Sequence, residues 1–347
     1  MRLPCGAREG AAPSHHGGQE RGAALLTAML IVALVATLAA SMIWQQWRAI
    51  QVEAAERART QSAWILAGAL DWARLILRED AKSVGATGST VDHLGEPWAV
   101  PLEEARLSTF LAADKSNTDD APDAFLSGAI TDAQARYNLT NLVTAGTIDK
   151  DEMAALQRLC ATVGVSADVA TRIAAGMRDA SPPAPANAAS APASGPAVVA
   201  PPPAADAPLL PRSARQIAWL GIDPEAIRAL EPYIVVLPDR TYVNANTASR
   251  EVLVAAIPGL DLATAERIVQ ARQRSPFKNP ADVTAQAPSL PSTSFERVSV
   301  GSSFFEVRGR LRLGDVVLEQ RSLVQRRGLN VIVLQRERVS SHEQVGS

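Results

Sequence analysis

Apolar residues dominate one unbroken stretch near the N-terminus, from Ala23 to Trp47. The stretch is 25 residues long and contains no charged side chain, whereas a helix needs about 20 residues to span a bilayer. Beyond Trp47, apolar and charged residues are interleaved without proline as far as Glu79. The apolar ones recur at steps of three and four, which is typical of one buried face of a helix. These positions are Ile65, Leu66, Ala69, Leu70, Ala73, Ile76 and Leu77.

We therefore predict one long helix from about Ala23 to Asp80, apolar all round in its first half and amphipathic in its second. At 1.5 Å per residue this helix would be about 85 Å long. The alternative is a membrane anchor followed by a coiled-coil stalk. The sequence has no sustained heptad repeat, which disfavours the stalk.

The middle of the chain alternates between loops and short helices. Residues 81–147 carry the glycines and prolines of loops with short strands, and residues 148–179 have the pattern of two helices, the second with Ser166 as its N-cap. Residues 181–211 are almost entirely alanine and proline, so we predict a disordered or polyproline-II linker. Helical patterns resume over 213–230, which indicates that the linker interrupts a domain.

Two helical segments, 249–257 and 262–274, flank a tight turn. This helix-hairpin-helix pattern binds DNA in other proteins by aiming backbone N–H groups and a helix N-terminus at phosphate. Asp261 stands where a second glycine would be expected, and its carboxylate would repel phosphate. A structural or protein-contact role is therefore favoured over DNA binding. The key positions of the pattern are Asn246, Pro258, Gly259 and Asp261.

The C-terminal region has the period-two alternation of β-strands. Between 305 and 313, apolar residues and one glycine occupy the odd positions and charged residues the even ones. A turn at Gly314 leads to a second strand near 316–325, and residues 329–335 provide a third. We predict that the chain ends in an antiparallel meander.

Composition excludes several classes of function. The chain has 347 residues, room for about two domains, and a net charge of −2 that gives no strong attraction to nucleic acid. Its two cysteines, Cys5 and Cys160, and the distant His93 and His342 do not have metal-ligand or catalytic spacing. The sequence also lacks a serine nucleophile elbow and a P-loop. We expect no enzyme activity.

An acidic loop between residues 114 and 123 loosely resembles a calcium loop, because hard cations prefer several oxygen ligands. The glycine and the terminal glutamate of an EF-hand are missing, so a solvated turn is favoured over a cation site. The weak candidate ligands are Asp114, Asn117, Asp119, Asp120 and Asp123.

A processing signal lies upstream of the apolar stretch, where Arg21-Gly22 directly precedes Ala23. An ordinary secretory signal has a core of only about 7–15 apolar residues and a small-residue cleavage site after it. The order seen here resembles a prepilin leader, which implies cleavage between Gly22 and Ala23, N-methylation of Ala23, and retention of the apolar helix in the mature chain. An uncut signal-anchor helix and a cleaved Sec signal are the alternatives.

Charge around the apolar stretch favours one orientation. The segment before Ala23 carries three arginines and two glutamates, and positive residues beside a spanning helix tend to stay in the cytoplasm. The bulk of the chain is then expected outside the cytoplasm.

Three further segments resemble the minor pseudopilin K family (general secretion pathway protein K): Gly128–Leu142, Val243–Ser249 and the closing strands. The resemblance implies an α+β fold, with a pilin-like long N-terminal helix packed on a small antiparallel sheet. It also implies a large inserted all-helical domain that contains a helix-hairpin-helix-like (SAM-like) unit. The helix positions that would serve membrane insertion and assembly are Leu25, Leu26, Thr27, Leu30, Ile31, Leu34 and Leu38.

Thr27 is the fifth residue after the implied cleavage site. Ordinary pilins have a glutamate there, which pairs with the amino-terminus of the neighbouring subunit, and the K family lacks this acid. A subunit without it need not dock onto another subunit above it. The resemblance therefore implies a place at the tip of a filament.

The implied domain organisation has six parts. They are the cleaved leader (1–22), the transmembrane and filament-core helix (23–47), the pilin-like part (48–147), the inserted helical domain (148–290, interrupted by the linker 181–211), the C-terminal strands (291–336) and a polar tail (337–347).

The function implied is that of a non-enzymatic minor pseudopilin of a type II secretion system, which forms with other minor pseudopilins the tip complex that initiates pseudopilus assembly and exoprotein export. The chain would cross the inner membrane once, with its N-terminus cytoplasmic before processing and its C-terminal domain periplasmic. No cofactor is required, and a structural calcium ion is implied only by the family. The alternatives are a membrane-anchored helix-hairpin-helix DNA-uptake protein and a minor pilin of a type IV pilus.

The expected partners follow from the same resemblance. They are minor pseudopilins of the I and J types, then the H type and the major pseudopilin, the prepilin peptidase and the inner-membrane assembly platform. No nucleic acid is expected.

Overall fold

A computed structural model describes residues 20–87, 91–107, 124–181, 207–314 and 316–339. The chain divides into two compact units, 1–61 and 62–347. The first helix, α1 (Glu20–Thr87), has 68 residues and contributes to both units. It contains the predicted helix, from about Ala23 to Asp80, and extends beyond it at both ends.

In the second unit, α1 buries one apolar face. Leu66, Leu70, Ala73 and Leu77 are all at most 5% exposed, and their steps of four, three and four place them on one side of the helix. They lie on the predicted stripe. These side chains pack against apolar residues of a sheet.

Five of the described strands form one antiparallel sheet: β1 (Leu102–Arg106), β2 (Ala124–Asp132), β9 (Phe304–Leu313), β10 (Val316–Arg327) and β11 (Asn330–Val339). Their order in the sheet is β1-β2-β9-β10-β11. Odd-numbered residues of β9 such as Phe305 and Leu311 are buried, and the indole of Trp98 meets the Phe305 ring edge-on with 5.2 Å between centroids.

The predicted α+β fold is confirmed, and the predicted C-terminal meander corresponds to β9, β10 and β11. The limits of the helical part are wider than the predicted 148–290, since the chain leaves the sheet after Asp132 and returns at Phe304. The last strand also extends to Val339, beyond the predicted start of the polar tail at 337. The spacing of apolar residues along the sequence did not reveal these boundaries, because the segments beside them are irregular.

The chain between β2 and β9 builds two apolar clusters. The first contains α2 (Lys150–Thr162), α3 (Ala167–Ala180), the 3-10 helix Ala214–Leu220 and α4 (Pro224–Leu230). The predicted cap Ser166 precedes α3, and its hydroxyl accepts a hydrogen bond from the Asp168 amide. Short strands complete the region: β3 (Tyr137–Asn138), β4 (Val143–Thr144), β5 (Thr147–Ile148) and β6 (Ile234–Val235).

The second cluster surrounds a pair of helices joined by a turn. It contains α5 (Arg250–Ala256), α6 (Leu262–Arg274) and α7 (Pro280–Thr284), with β7 (Val243–Asn244) paired in parallel to β8 (Val298–Ser299). Most of the predicted linker, residues 182–206, lies outside the described residues.

Candidate assembly site

The apolar segment of α1 exposes its side chains on every side. In the first unit, the predicted assembly leucines and Ile31 are between 53% and 69% exposed. Within the described residues, one helix is long and apolar enough to cross a membrane, and it is this one. A surface of this kind requires lipid or other apolar helices around it. The residues are Leu25, Leu26, Leu30, Ile31, Leu34 and Leu38.

Polar side chains within the apolar segment bond to their own helix. The Thr27 hydroxyl donates to the carbonyl oxygens of Ala23 and Ala24, at 3.1 and 3.0 Å. The hydroxyls of Thr37 and Ser41 do the same three residues back. Thr27 therefore offers a neighbouring helix neither a charge nor an unsatisfied donor.

The two residues of the predicted cleavage site, Gly22 and Ala23, both lie in the first turn of α1. The cleavage itself stays a prediction. At the other end of the apolar segment, the Arg48 guanidinium lies 5.5 Å from the centre of the Trp44 ring. An aromatic ring paired with a cation suits the boundary between apolar lipid and water.

The turn between α5 and α6 requires a glycine. Gly259 has φ of +83°, and a Cβ there would approach Leu290 Cδ2 to 3.1 Å. Pro258 precedes it in the same turn. The predicted helices and turn are thus present, while the role of this unit as a helix-hairpin-helix module stays a prediction.

Asp261 caps α6 instead of leaving its N-terminus open. One carboxylate oxygen accepts the Thr264 amide at 2.7 Å and the other accepts the Thr264 hydroxyl at 3.1 Å. The bond from the Thr264 amide, then that from its hydroxyl, lowers the pKa of Asp261. A carboxylate held charged at this helix terminus repels phosphate, so the geometry does not favour DNA binding.

Asn246 is a buried structural residue. Its side-chain amide donates to the Phe277 carbonyl at 2.9 Å, and its amide oxygen accepts the Phe277 backbone N–H at 2.9 Å. It also donates to the Val300 carbonyl. These bonds hold the segment after α6 against the β7–β8 region.

Sequence reasoning missed a buried network at the point where the helical part joins the sheet. One oxygen of Asp132 accepts hydrogen bonds from Ser302 Oγ (2.6 Å), Thr247 Oγ1 (2.6 Å) and Asn244 Nδ2 (3.0 Å). The other oxygen accepts the Gln134 amide at 2.7 Å. Burial raises the pKa of Asp132. Two of the three segments that resemble the K family, 128–142 and 243–249, meet at this carboxylate.

A second missed group ties α1 to the sheet. The Arg326 guanidinium donates to the carboxylates of Asp80 and Asp92, and all three side chains are under 9% exposed. Glu96 lies beside them and accepts the Trp98 indole N–H at 2.6 Å and the His93 amide at 3.0 Å. Desolvation raises the pKa of Glu96 to about 7.

The carboxylates of Asp80, Asp92 and Glu96 approach one another to within 4.8 Å, but Arg326 already supplies a positive charge between two of them. We therefore assign no metal to this group. The predicted cation ligands lie outside the described residues. They are Asp114, Asn117, Asp119, Asp120 and Asp123.

Comparison with known proteins decides the family. Two family models, both described as type II secretion system protein K, match residues 135–239 and 243–300. The type II secretion system protein K of Pseudomonas aeruginosa is 31% identical over 305 residues, which cover 85% of this chain and 86% of that relative. The chain belongs to the type II secretion system protein K family.

Other members of the protein K family agree over nearly the full length. The protein K of Pectobacterium carotovorum is 28% identical over 341 residues, covering 92% of this chain and 96% of the relative. A chain in the crystal structure of the GspK–GspI–GspJ complex from enterotoxigenic Escherichia coli has the same fold, with a TM-score of 0.58 at 19% identity. That match covers 83% of this chain and 99% of the other.

Proposed function

We propose that this chain is a minor pseudopilin that occupies the tip of a type II secretion pseudopilus. Family membership supports this function, together with one feature of the helix: the segment 23–47 is apolar, exposed and uncharged, with Thr27 bonded to its own helix. The chain acts as a structural subunit, not as an enzyme. It is anchored by a single pass in the inner membrane with the second unit in the periplasm.

The proposed partners are minor pseudopilins of the I and J types. The fold match to a chain of the GspK–GspI–GspJ complex supports them. The H-type minor pseudopilin and the major pseudopilin would follow below, and the prepilin peptidase and the assembly platform would act on the chain in the membrane.

The mechanism rests on the charge at the fifth position of the mature helix. In an apolar surrounding, a buried amino-terminus requires an opposite charge, because an unpaired ion is strongly disfavoured there. A subunit that carries a carboxylate at this position gives the amino-terminus of its neighbour such a partner. Thr27 provides none, so this chain does not dock in this way onto a subunit above it, and its place is at the tip of the filament.

The first experiment is the intact mass and N-terminal sequence of the membrane-extracted protein, produced with and without a prepilin peptidase. We expect a start at N-methylated Ala23 only when the peptidase is present. Gly22→Val should abolish this processing, while Gly18→Val, the matched change upstream, should leave it intact. An uncut N-terminus with active peptidase, or a cut beyond Ser41, would contradict the proposal.

A further inference from the structure

A small cleft separates the helical part from the sheet in the second unit. Its volume is about 90 Å³, which is enough for a few water molecules or one small chemical group and well below the roughly 300 Å³ of a small-molecule site. One wall belongs to β9, β10 and β11, and the other to the segments 212–215 and 231–236. The cleft therefore has room for one group of a ligand and not for a whole metabolite.

Arginines from three separate stretches of the sequence meet at this cleft. They are Arg136 after β2, Arg212 and Arg215 at the start of the 3-10 helix, and Arg321 in β10. Glutamates line the cleft as well, one fewer in number: Glu231, Glu306 and Glu337. Because a guanidinium matches a planar carboxylate with two parallel N–H bonds, an excess of one arginine favours a singly charged, planar anion.

Two of the four arginines are already paired. Arg136 donates to Glu306 Oε2 at 2.8 Å, and Arg215 donates to Glu231 Oε1 at 2.7 Å. These pairs neutralise two of the three glutamates. The positive charges of the other two arginines are not balanced by them.

Arg321 carries a buried donor that no described residue satisfies. Its Nε has no hydrogen-bond partner there, and the carboxylate oxygens of Glu306 and Glu319 lie 4.0 and 3.9 Å from it, beyond hydrogen-bond distance. The other described side-chain atom of this kind is Arg172 Nε, but Asp168 Oδ2 lies only 3.0 Å from it. Native structures rarely leave a buried donor without an acceptor, so the guanidinium of Arg321 calls for a further partner.

The surroundings of Arg321 leave it open to an anion in the cleft. Its side chain is 26% exposed, so a ligand can approach the guanidinium. Glu337 stands opposite Arg321 in the pairing of β10 with β11, but the described residues contain no ion pair between the two. Val235, Leu323 and Val339 also line the cleft, and apolar walls strengthen the attraction between an arginine and an entering carboxylate.

We propose that this cleft binds a single carboxylate group, held by the guanidinium of Arg321 with the help of Arg212. A phosphate dianion is disfavoured, because its second charge would lie close to the glutamates of the cleft. The carboxylate belongs either to an acidic side chain of a polypeptide or to a small free acid, and the experiment distinguishes these sources. The inference concerns the junction between the sheet and the helical part, and it does not depend on the place of the chain in a pseudopilus.

The test is thermal unfolding of the detergent-solubilised full-length chain at constant ionic strength. The probes are sodium acetate and the acetylated, amidated peptide Ala-Ala-Glu-Ala-Ala, with the same peptide carrying glutamine as the control ligand. A ligand that binds only the folded chain raises the unfolding temperature. We expect at least one of the two carboxylates to raise it by about 2 °C or more, and the glutamine peptide to leave it unchanged.

Variants of the arginines locate the effect. Arg321→Gln should abolish the rise, and Arg321→Lys should reduce it, because lysine keeps the charge but lacks the planar fork. Arg212→Gln, at an exposed position, should weaken the rise and decides the matter if the Arg321 variants do not fold. Arg327→Gln is the matched control and should keep the full rise, because Arg327 lies in the same strand, is 63% exposed and does not line the cleft.

Each outcome identifies the source of the carboxylate or overturns the proposal. A rise with the glutamate peptide alone assigns a polypeptide, and an equal rise with acetate assigns a small acid. Glu343 is four residues beyond Val339, which lines the cleft, so Glu343→Gln is measured as well. If the probes act only on this variant, the carboxylate is the chain's own. If they act on neither the wild type nor Glu343→Gln, or if Arg321→Gln and Arg212→Gln respond like Arg327→Gln, the proposal is wrong.

Discussion

Arg326 shows how a single residue can hold α1 against the sheet. Its guanidinium bonds to Asp80 near the end of α1, to Asp92 in the loop that follows, and to the Ser302 carbonyl at 2.9 Å. The same guanidinium lies 4.9 Å from the centre of the Phe305 ring. All of its neighbours are buried, so this interaction differs from the many exposed ion pairs of the chain, which contribute little to stability.

Replacing Arg326 should therefore be strongly destabilising. Arg326→Met leaves Asp80 and Asp92 buried without their cation, which costs about 3–5 kcal/mol of the free energy of unfolding. The neighbouring Arg327 is 63% exposed, with only a 3.9 Å contact to Asp239, and Arg327→Met should change stability by less than about 0.5 kcal/mol. Denaturant titration of the solubilised chain measures both. Equal effects of the two changes would show that the buried carboxylates do not depend on Arg326.

The helices between β2 and β9 depend on their N-caps to different degrees. Asp261 and Asp223 both occupy N-cap positions, of α6 and α4. Asp261 accepts hydrogen bonds from Thr264, whereas Asp223 makes no capping bond through its side chain. The first amide groups of α6 therefore rely on a side-chain partner, and those of α4 do not.

Asp261→Ala should loosen the first turn of α6. We expect amide hydrogen exchange of the residues just after position 261 to become several-fold faster, because the Thr264 N–H loses its acceptor. Asp223→Ala is the matched control and should leave exchange in α4 nearly unchanged. The comparison requires only peptide-resolved exchange on the full chain. Unchanged exchange in α6 would mean that water replaces the carboxylate without loss.

Elements that depend on residues close together in the sequence could be predicted, and contacts between residues far apart in the sequence could not. The apolar stripe of α1 and the Ser166 cap depend on neighbours within four residues, and both are present. The pairing of β2 with β9 joins residues that are far apart in the sequence, such as Ala124 and Leu313. The spacing of apolar residues within a strand does not indicate which other strand it pairs with. Asp132 and Arg326 are missed for the same reason, because their partners are brought together only by the fold.

The K-family chain differs from a simple long-helix-and-sheet protein because it leaves the sheet at the end of β2 and returns at the start of the adjacent strand β9. The diversion begins after Asp132 and ends before Phe304. Ser302 at the return and Asp132 at the departure are bonded to each other, and Asn244 and Thr247 of the helical part bond to the same oxygen. The sheet and the helical part are thus joined at a buried polar junction as well as by two strands of chain. Such a junction makes the sheet and the helical part unfold together only if each of these donors keeps its hydrogen bond to Asp132.

This coupling predicts how the second unit unfolds. In the wild type, the amides of β9 and of α2 should exchange through one opening, with equal free energies, since the parts unfold together. Asp132→Ala removes the shared acceptor, at about 1–3 kcal/mol for each buried donor left unpaired, and should let the sheet and the helices open separately. Thr131→Ala is the matched control, because the exposed Thr131 hydroxyl makes only a 3.4 Å contact with the Glu306 carbonyl. Exchange on the full chain distinguishes the cases: if Asp132→Ala lowers the opening free energies of β9 and α2 by the same amount, the junction stabilises both parts without coupling them.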